Sequence, residues 1–196
     1  MSKPRISLRR AVPPKVRPDL ARKRIVFLDI DGVLNSADSR RRVVLGTTDP
    51  KIPNARLLDP QAIALLNSIL ARTEADVVLS SSWRYYVSVP KMQKMLEYHG
   101  FKGRLIARTP IVAELPMYRG NTAAELVQIA QGSHERGIEI QQWLDEHGPV
   151  QSYVILDDDD DMAHLMPQLV HTSFEHGLTR ADALRAVEIL MGIQQR

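Results

Sequence analysis

Apolar residues along the chain fall into two alternating patterns: short unbroken runs, and longer stretches with helical spacing. The runs read as strands buried on both faces. They cover 24–29 (Arg-Ile-Val-Phe-Leu-Asp), Val77–Leu79, 104–107 (Arg-Leu-Ile-Ala), Tyr153–Leu156 and, more weakly, 169–171. A helix is predicted from Asp59-Pro60, with Asp as N-cap and Pro at the first helical position. Ile63, Leu66, Ile69 and Leu70 form its apolar stripe. A second helix spans about 90–99 and stops at Gly100. A third, about 137–147, turns Ile140, Trp143 and Leu144 inward. After the fourth strand comes a short helix. The last helix starts at Thr179, where Asp182 completes a capping-box pattern, and it faces the core with Leu184, Val187 and Leu190. Residues 35–58 read as an irregular polar loop able to form a flap, with Arg40-Arg41-Arg42 inside it. Residues 108–134 read as mostly loop, with one helical turn about 122–130.

Strands alternating with helices imply an α/β fold, a mainly parallel five-stranded sheet covered on both faces. Ligands bind such sheets at the carboxyl ends of the strands. Three predicted strands end in polar clusters there: Asp29-Ile30-Asp31-Gly32, Ser80-Ser81-Ser82-Trp83-Arg84 and Asp157–Asp161. Convergence of these clusters on one site is a stronger signal than any one of them. If extended geometry persists through Asp31, the carboxylates of Asp29 and Asp31 share one face.

Composition narrows the class. The chain has 196 residues, 44% hydrophobic and 25% charged, enough for one well-buried domain. With no cysteine, disulfides, thiolate metal sites and cysteine nucleophiles are excluded. No apolar run approaches a membrane span. The basic N-terminal segment lacks the apolar stretch of a secretory signal, so a cytoplasmic location is expected. The six histidines show no zinc spacing. Charge is unevenly placed: residues 1–24 hold nine of the 26 basic residues and one of the 23 acids, so they net +8 and the remainder nets −5. Residues 1–23 therefore read as a basic, proline-containing arm suited to a polyanion, nucleic acid among them. Residues 24–196 form the folded domain.

Carboxylates from two strand ends make a hard, oxygen-rich site of the kind Mg²⁺ takes together with phosphate. One carboxylate can attack phosphorus, and a second can carry the proton. Serine hydroxyls hold phosphate oxygens, and a cation neutralises transition-state charge. Trp143 falls on an apolar stripe and reads as core. Trp83 reads first as packing beneath the site, with base stacking as the alternative.

Asp29-x-Asp31-Gly-Val, then a strand ending in serine, then a strand ending in Asp-Asp, resemble in order the haloacid dehalogenase (HAD) superfamily. The stretches 27–35, 77–84, 105–110, 136–144, 153–162 and 177–179 are similar to the HAD domains associated with Swiss-army-knife RNA repair proteins. The resemblance implies a three-layer α/β/α Rossmann-like core with a minimal cap or none. It implies Asp29 as nucleophile and metal ligand, and Asp31 as general acid/base with its backbone carbonyl on Mg²⁺. Ser81 would bind the transferring phosphoryl group, with the register among Ser80, Ser81 and Ser82 open. Gly32, Ser80, Ser82 and Arg84 are further substrate-binding candidates. Asp157, Asp158 and Asp161 are the other metal-ligand candidates. Where the superfamily places a lysine, this chain has Arg136, with Lys102 and Arg108 as alternatives. The function implied is a Mg²⁺-dependent phosphatase working through an aspartyl-phosphate, with nucleic-acid ends as the leading substrate. The rivals are a small-molecule (nucleotide) phosphatase and a non-catalytic HAD-like binding module.

Overall fold

The structure is a computed structural model. It describes residues 20–42, 58–111 and 136–193, together with Glu114, Gly120 and Thr122. The strands are β1 (Arg24–Leu28), β2 (Asp76–Leu79), β3 (Leu105–Arg108), β4 (Ser152–Asp157) and β5 (Leu169–His171). They form one sheet in the order β3-β2-β1-β4-β5, and all neighbours run parallel. β1 lies at the centre, with Leu28 beside Leu79 on one flank and Leu156 on the other. Its carboxyl end is therefore bordered by the ends of β2 and β4.

Period-two alternation divides the apolar side chains between two faces. Val26, Leu28, Val77, Leu79, Val154 and Leu156 belong to one core cluster. That cluster also takes residues from α2 (Pro60–Thr73), α3 (Val89–Tyr98) and α5 (Arg180–Met191). Ile25, Phe27, Val78 and Ile155 face the other way, against α4 (Arg136–His147) and the 3₁₀ turn Ala163–Gln168. Trp143 is core, set edge-on to Phe27 with centroids 5.4 Å apart. The result is the expected three-layer α/β/α arrangement.

Local signals set most boundaries. Asp59 caps α2 by accepting from Gln61 N at 2.9 Å. Thr179 and Asp182 form the reciprocal capping box of α5. Two expectations are corrected. Within the supposedly irregular 35–58 segment, Ala37–Arg42 forms a short helix, α1. Ser36 and Ser39 exchange hydrogen bonds there, and the N–H groups of Ala37 and Asp38 donate to the carbonyls of Phe174 and Glu175. Leu184 is exposed; Ala183 and Ala186 face the core instead, where α5 packs on α2 and small side chains permit close approach. Residues 1–19 of the arm, 43–57 of the flap and the predicted turn after Thr122 lie outside the described residues.

Candidate active site

Three strand ends meet at Asp29. It follows β1 directly, is 4% exposed, and its N–H donates to Leu156 O at 3.0 Å. Asp157 ends β4 and is fully buried, and Asp158 comes next. One carboxylate oxygen from each of Asp29, Asp157 and Asp158 lies within 4.8 Å of the others. Burial raises the pKa of Asp29 against the pull of Arg136. Burial, assisted by repulsion from Asp29, pushes Asp157 up to about 8 against the same guanidinium. Asp158 is raised by burial and then by Asp29. Crowded, desolvated carboxylates of this kind are relieved by a cation. The all-oxygen donor set is of the kind Mg²⁺ takes.

A cation from the protein already enters this cluster. Arg136 opens α4, and its Nη1 donates to Asp29 Oδ1 at 2.6 Å and to Ser80 O at 3.2 Å. The same nitrogen lies 3.2 Å from Asp157 Oδ2. Burial opposes its charge, but Asp157 and Asp29 outweigh that and hold the guanidinium more firmly protonated than usual. Arg136 thus stands where the superfamily's lysine was expected. Of the alternatives, Arg108 pairs with Glu114, and Lys102 sits at the opposite end of β3, where its N–H donates to Asn67 Oδ1. Gly137 lets the start of α4 dock: a Cβ there would stand 2.5 Å from Met162 O.

Among the serines, Ser81 is the one whose hydroxyl hydrogen-bonds Asp29. Ser80 is buried and offers its carbonyl to Arg84 and Arg136, while Ser82 is exposed and starts the 3₁₀ turn Ser82–Tyr85. Asp31 departs from the simple two-residue alternation. The chain leaves extended geometry after Asp29, as Val33, Leu34 and Asn35 donate to Ile30 O. The Asp31 carboxylate consequently stands apart from the three-carboxylate cluster. It accepts instead from Asn35 Nδ2 and Trp83 Nε1, each at 2.7 Å, with Arg40 Nη2 at 3.4 Å.

Three further expectations are redirected. The Asp161 carboxylate accepts from Arg136 N at 2.9 Å, so it caps α4 and is not among the clustered ligand atoms. Arg84, expected at the substrate, is buried against Glu139 and donates to Ser80 O at 2.5 Å. Gly32, also expected at the substrate, has both backbone groups engaged, by Asn35 Oδ1 and by the Thr172 hydroxyl. Its φ is +70°, and a Cβ would lie 2.1 Å from Asp158 Cγ. Glycine is what lets Asp158 approach the turn after β1. Gly32→Ala is expected to cost at least about 1–2 kcal/mol from the left-handed backbone alone, read as a lower midpoint in urea denaturation. Stability equal to wild type would contradict the close approach.

The sequence reading missed the contacts of Trp83, Asn35 and Arg40 with Asp31. Its only signal was their proximity along the chain to the two motifs.

Residues 25–183 match the family described as the HAD domain in Swiss Army Knife RNA repair proteins. No curated protein and no solved structure matches the chain.

Proposed function

The chain belongs to the family of HAD domains found in Swiss Army Knife RNA repair proteins, and from that premise we propose a phosphohydrolase that uses Asp29 as its nucleophile. The observation that carries this reading is the setting of Asp29. It is a nearly buried carboxylate at the end of the central strand, with Arg136 and Ser81 on its oxygens and Asp157 and Asp158 beside it. Mg²⁺ held by Asp29, Asp157 and Asp158, with the carbonyl of Asp31, would neutralise charge on the phosphoryl oxygens and relieve the carboxylates.

The residues divide the chemistry as follows. An Asp29 oxygen attacks phosphorus, the P–O bond to the leaving group breaks, and Asp31 gives its proton to the departing oxygen. Asp31 then takes a proton from water as that water attacks the aspartyl-phosphate, releasing inorganic phosphate and restoring both carboxyl groups. Ser81 holds a phosphoryl oxygen, and Arg136 stabilises charge on the others.

Nucleic-acid ends are the proposed substrates. The family description and the +8 charge of residues 1–24 support that choice. A panel of 3′- and 5′-phosphorylated oligonucleotides and mononucleotides, with Mg²⁺, tests it. Oligonucleotides are expected to be turned over at least about tenfold more efficiently than mononucleotides, with an advantage that shrinks as salt rises. Equal or better turnover of mononucleotides selects the small-molecule phosphatase. No turnover of any phosphate ester by folded protein selects the binding module.

A further inference from the structure

Trp83 has no part in the chemistry above, yet its indole reaches the proton carrier. The Asp31 side chain is 39% exposed and sits in a turn, so nothing about its own backbone would hold its carboxylate in one plane. Two short hydrogen bonds do so from opposite sides. Trp83 Nε1 donates to Oδ2 at 2.7 Å, and Asn35 Nδ2 donates to Oδ1 at 2.7 Å. Arg40 adds a looser contact to Oδ1 at 3.4 Å, its guanidinium also lying over the Phe174 ring.

These donors are themselves fixed. Asn35 is 1% exposed, and its Oδ1 accepts from Gly32 N, which settles which way the amide points. The indole of Trp83 packs against the main core cluster, and Trp83 N donates to Ser81 Oγ at 3.3 Å. The same serine hydroxyl meets Asp29. The residue after the Ser81–Ser82 step therefore ties the end of β2 to the turn after β1, across 52 positions of sequence. Indole nitrogen only donates, so Oδ2 is the accepting atom in this contact.

We propose that Trp83 is a positioning residue that orients Asp31, through its indole N–H on Oδ2, for proton delivery to the leaving oxygen. The inference rests on the phosphatase reading and deepens it. It makes a prediction about leaving groups. An alkoxide leaves only with a proton, whereas nitrophenolate leaves without one. A misaligned acid should therefore slow alkyl esters and spare activated aryl esters. The ratio kcat/KM isolates this step, since it reports events up to loss of the leaving group.

The experiment compares wild type and Trp83→Phe with Mg²⁺, on p-nitrophenyl phosphate and on glycerol phosphate. Phenylalanine keeps the packed ring and removes the N–H. The expected kcat/KM for the aryl ester stays within about threefold, and that for the alkyl ester falls at least about tenfold, a part of the usual 10²–10⁴ from a general acid. Equal losses on both esters, or none on either, overturn the assignment. Folded wild-type protein inactive on both esters and on the phosphorylated oligonucleotides overturns the phosphatase reading itself, and the assignment with it; where only oligonucleotides are turned over, their kcat/KM takes the place of that for the alkyl ester. If Trp83→Phe does not fold, Asp31→Ala gives a second readout by NMR. The chain has two tryptophans, so two indole N–H signals are available. The signal of Trp83 is expected to move upfield when Asp31 is removed while that of Trp143 stays in place; an unmoved Trp83 signal overturns the contact.

Discussion

Asp29→Asn is expected to reduce turnover of every phosphate ester by at least about a thousandfold, the scale seen when a covalent nucleophile is removed, while the protein stays folded. The amide oxygen keeps the shape of the carboxylate and can still accept from Arg136 Nη1 and the Ser81 hydroxyl. What it lacks is a negative charge able to attack phosphorus. The same substitution removes a desolvated charge from beside Asp157 and Asp158. Burial outweighs the attraction of Arg136 at Asp29, so its ionised form opposes folding. The thermal midpoint of the metal-free variant should therefore equal or exceed that of wild type. Mg²⁺ is expected to stabilise wild type more than the variant, because one of the three clustered carboxylates has lost its charge. Hydrolysis of an aryl phosphate and thermal melts with and without Mg²⁺ check all three points. Residual turnover within tenfold of wild type would exclude Asp29 as the attacking group.

That site was largely legible from strand endings. In a parallel sheet every strand presents its carboxyl end on the same edge, so polar residues placed just after apolar runs must meet there. The clusters that hold Asp29, Ser81, Asp157 and Asp158 needed only that rule; the choice within each cluster came from the resemblance, with the serine register left open. Arg136 was reached through resemblance, because a cation at the start of a helix is not favoured by the helix itself; the two buried carboxylates facing it outweigh that preference. Where tertiary partners set the geometry, the sequence was silent. α1 is stabilised at its N-terminus by carbonyls of Phe174 and Glu175, far along the chain. Asp31 leaves the carboxylate cluster because the turn closed on Ile30 O carries it away, and Trp83 and Asn35 hold it there. Asp161 looked like one more acid in a run, and the neighbouring α4 takes it as a cap. Glu139 sits on a helix beside Ile140, and nothing local announces that it is buried to 1% exposure.

Glu139 and Arg84 give the second large effect, on stability. Their side chains are 1% and 2% exposed, and Arg84 Nη2 pairs with Glu139 Oε2. Arg84 Nη1 also donates to Ser80 O, the carbonyl that receives Arg136. The pair therefore joins the end of β2 to α4 directly behind the site. Removing one member of a buried ion pair leaves the other charge desolvated, at about 3–5 kcal/mol, whereas replacing both by apolar groups is often neutral or stabilising. Arg84→Met keeps the length of the side chain and removes the cation facing Glu139. It is expected to lower stability by about 3–5 kcal/mol, and Arg84→Met with Glu139→Leu should recover most of that loss. Urea denaturation of the wild type, both single variants and the double variant measures the coupling. The folded double variant also decides what Arg84 does. A substrate-binding arginine would leave stability nearly unchanged when replaced and would raise KM in both variants. A buried structural arginine lowers stability alone, and its double variant retains KM within about threefold, since only an interaction with substrate itself would change it further.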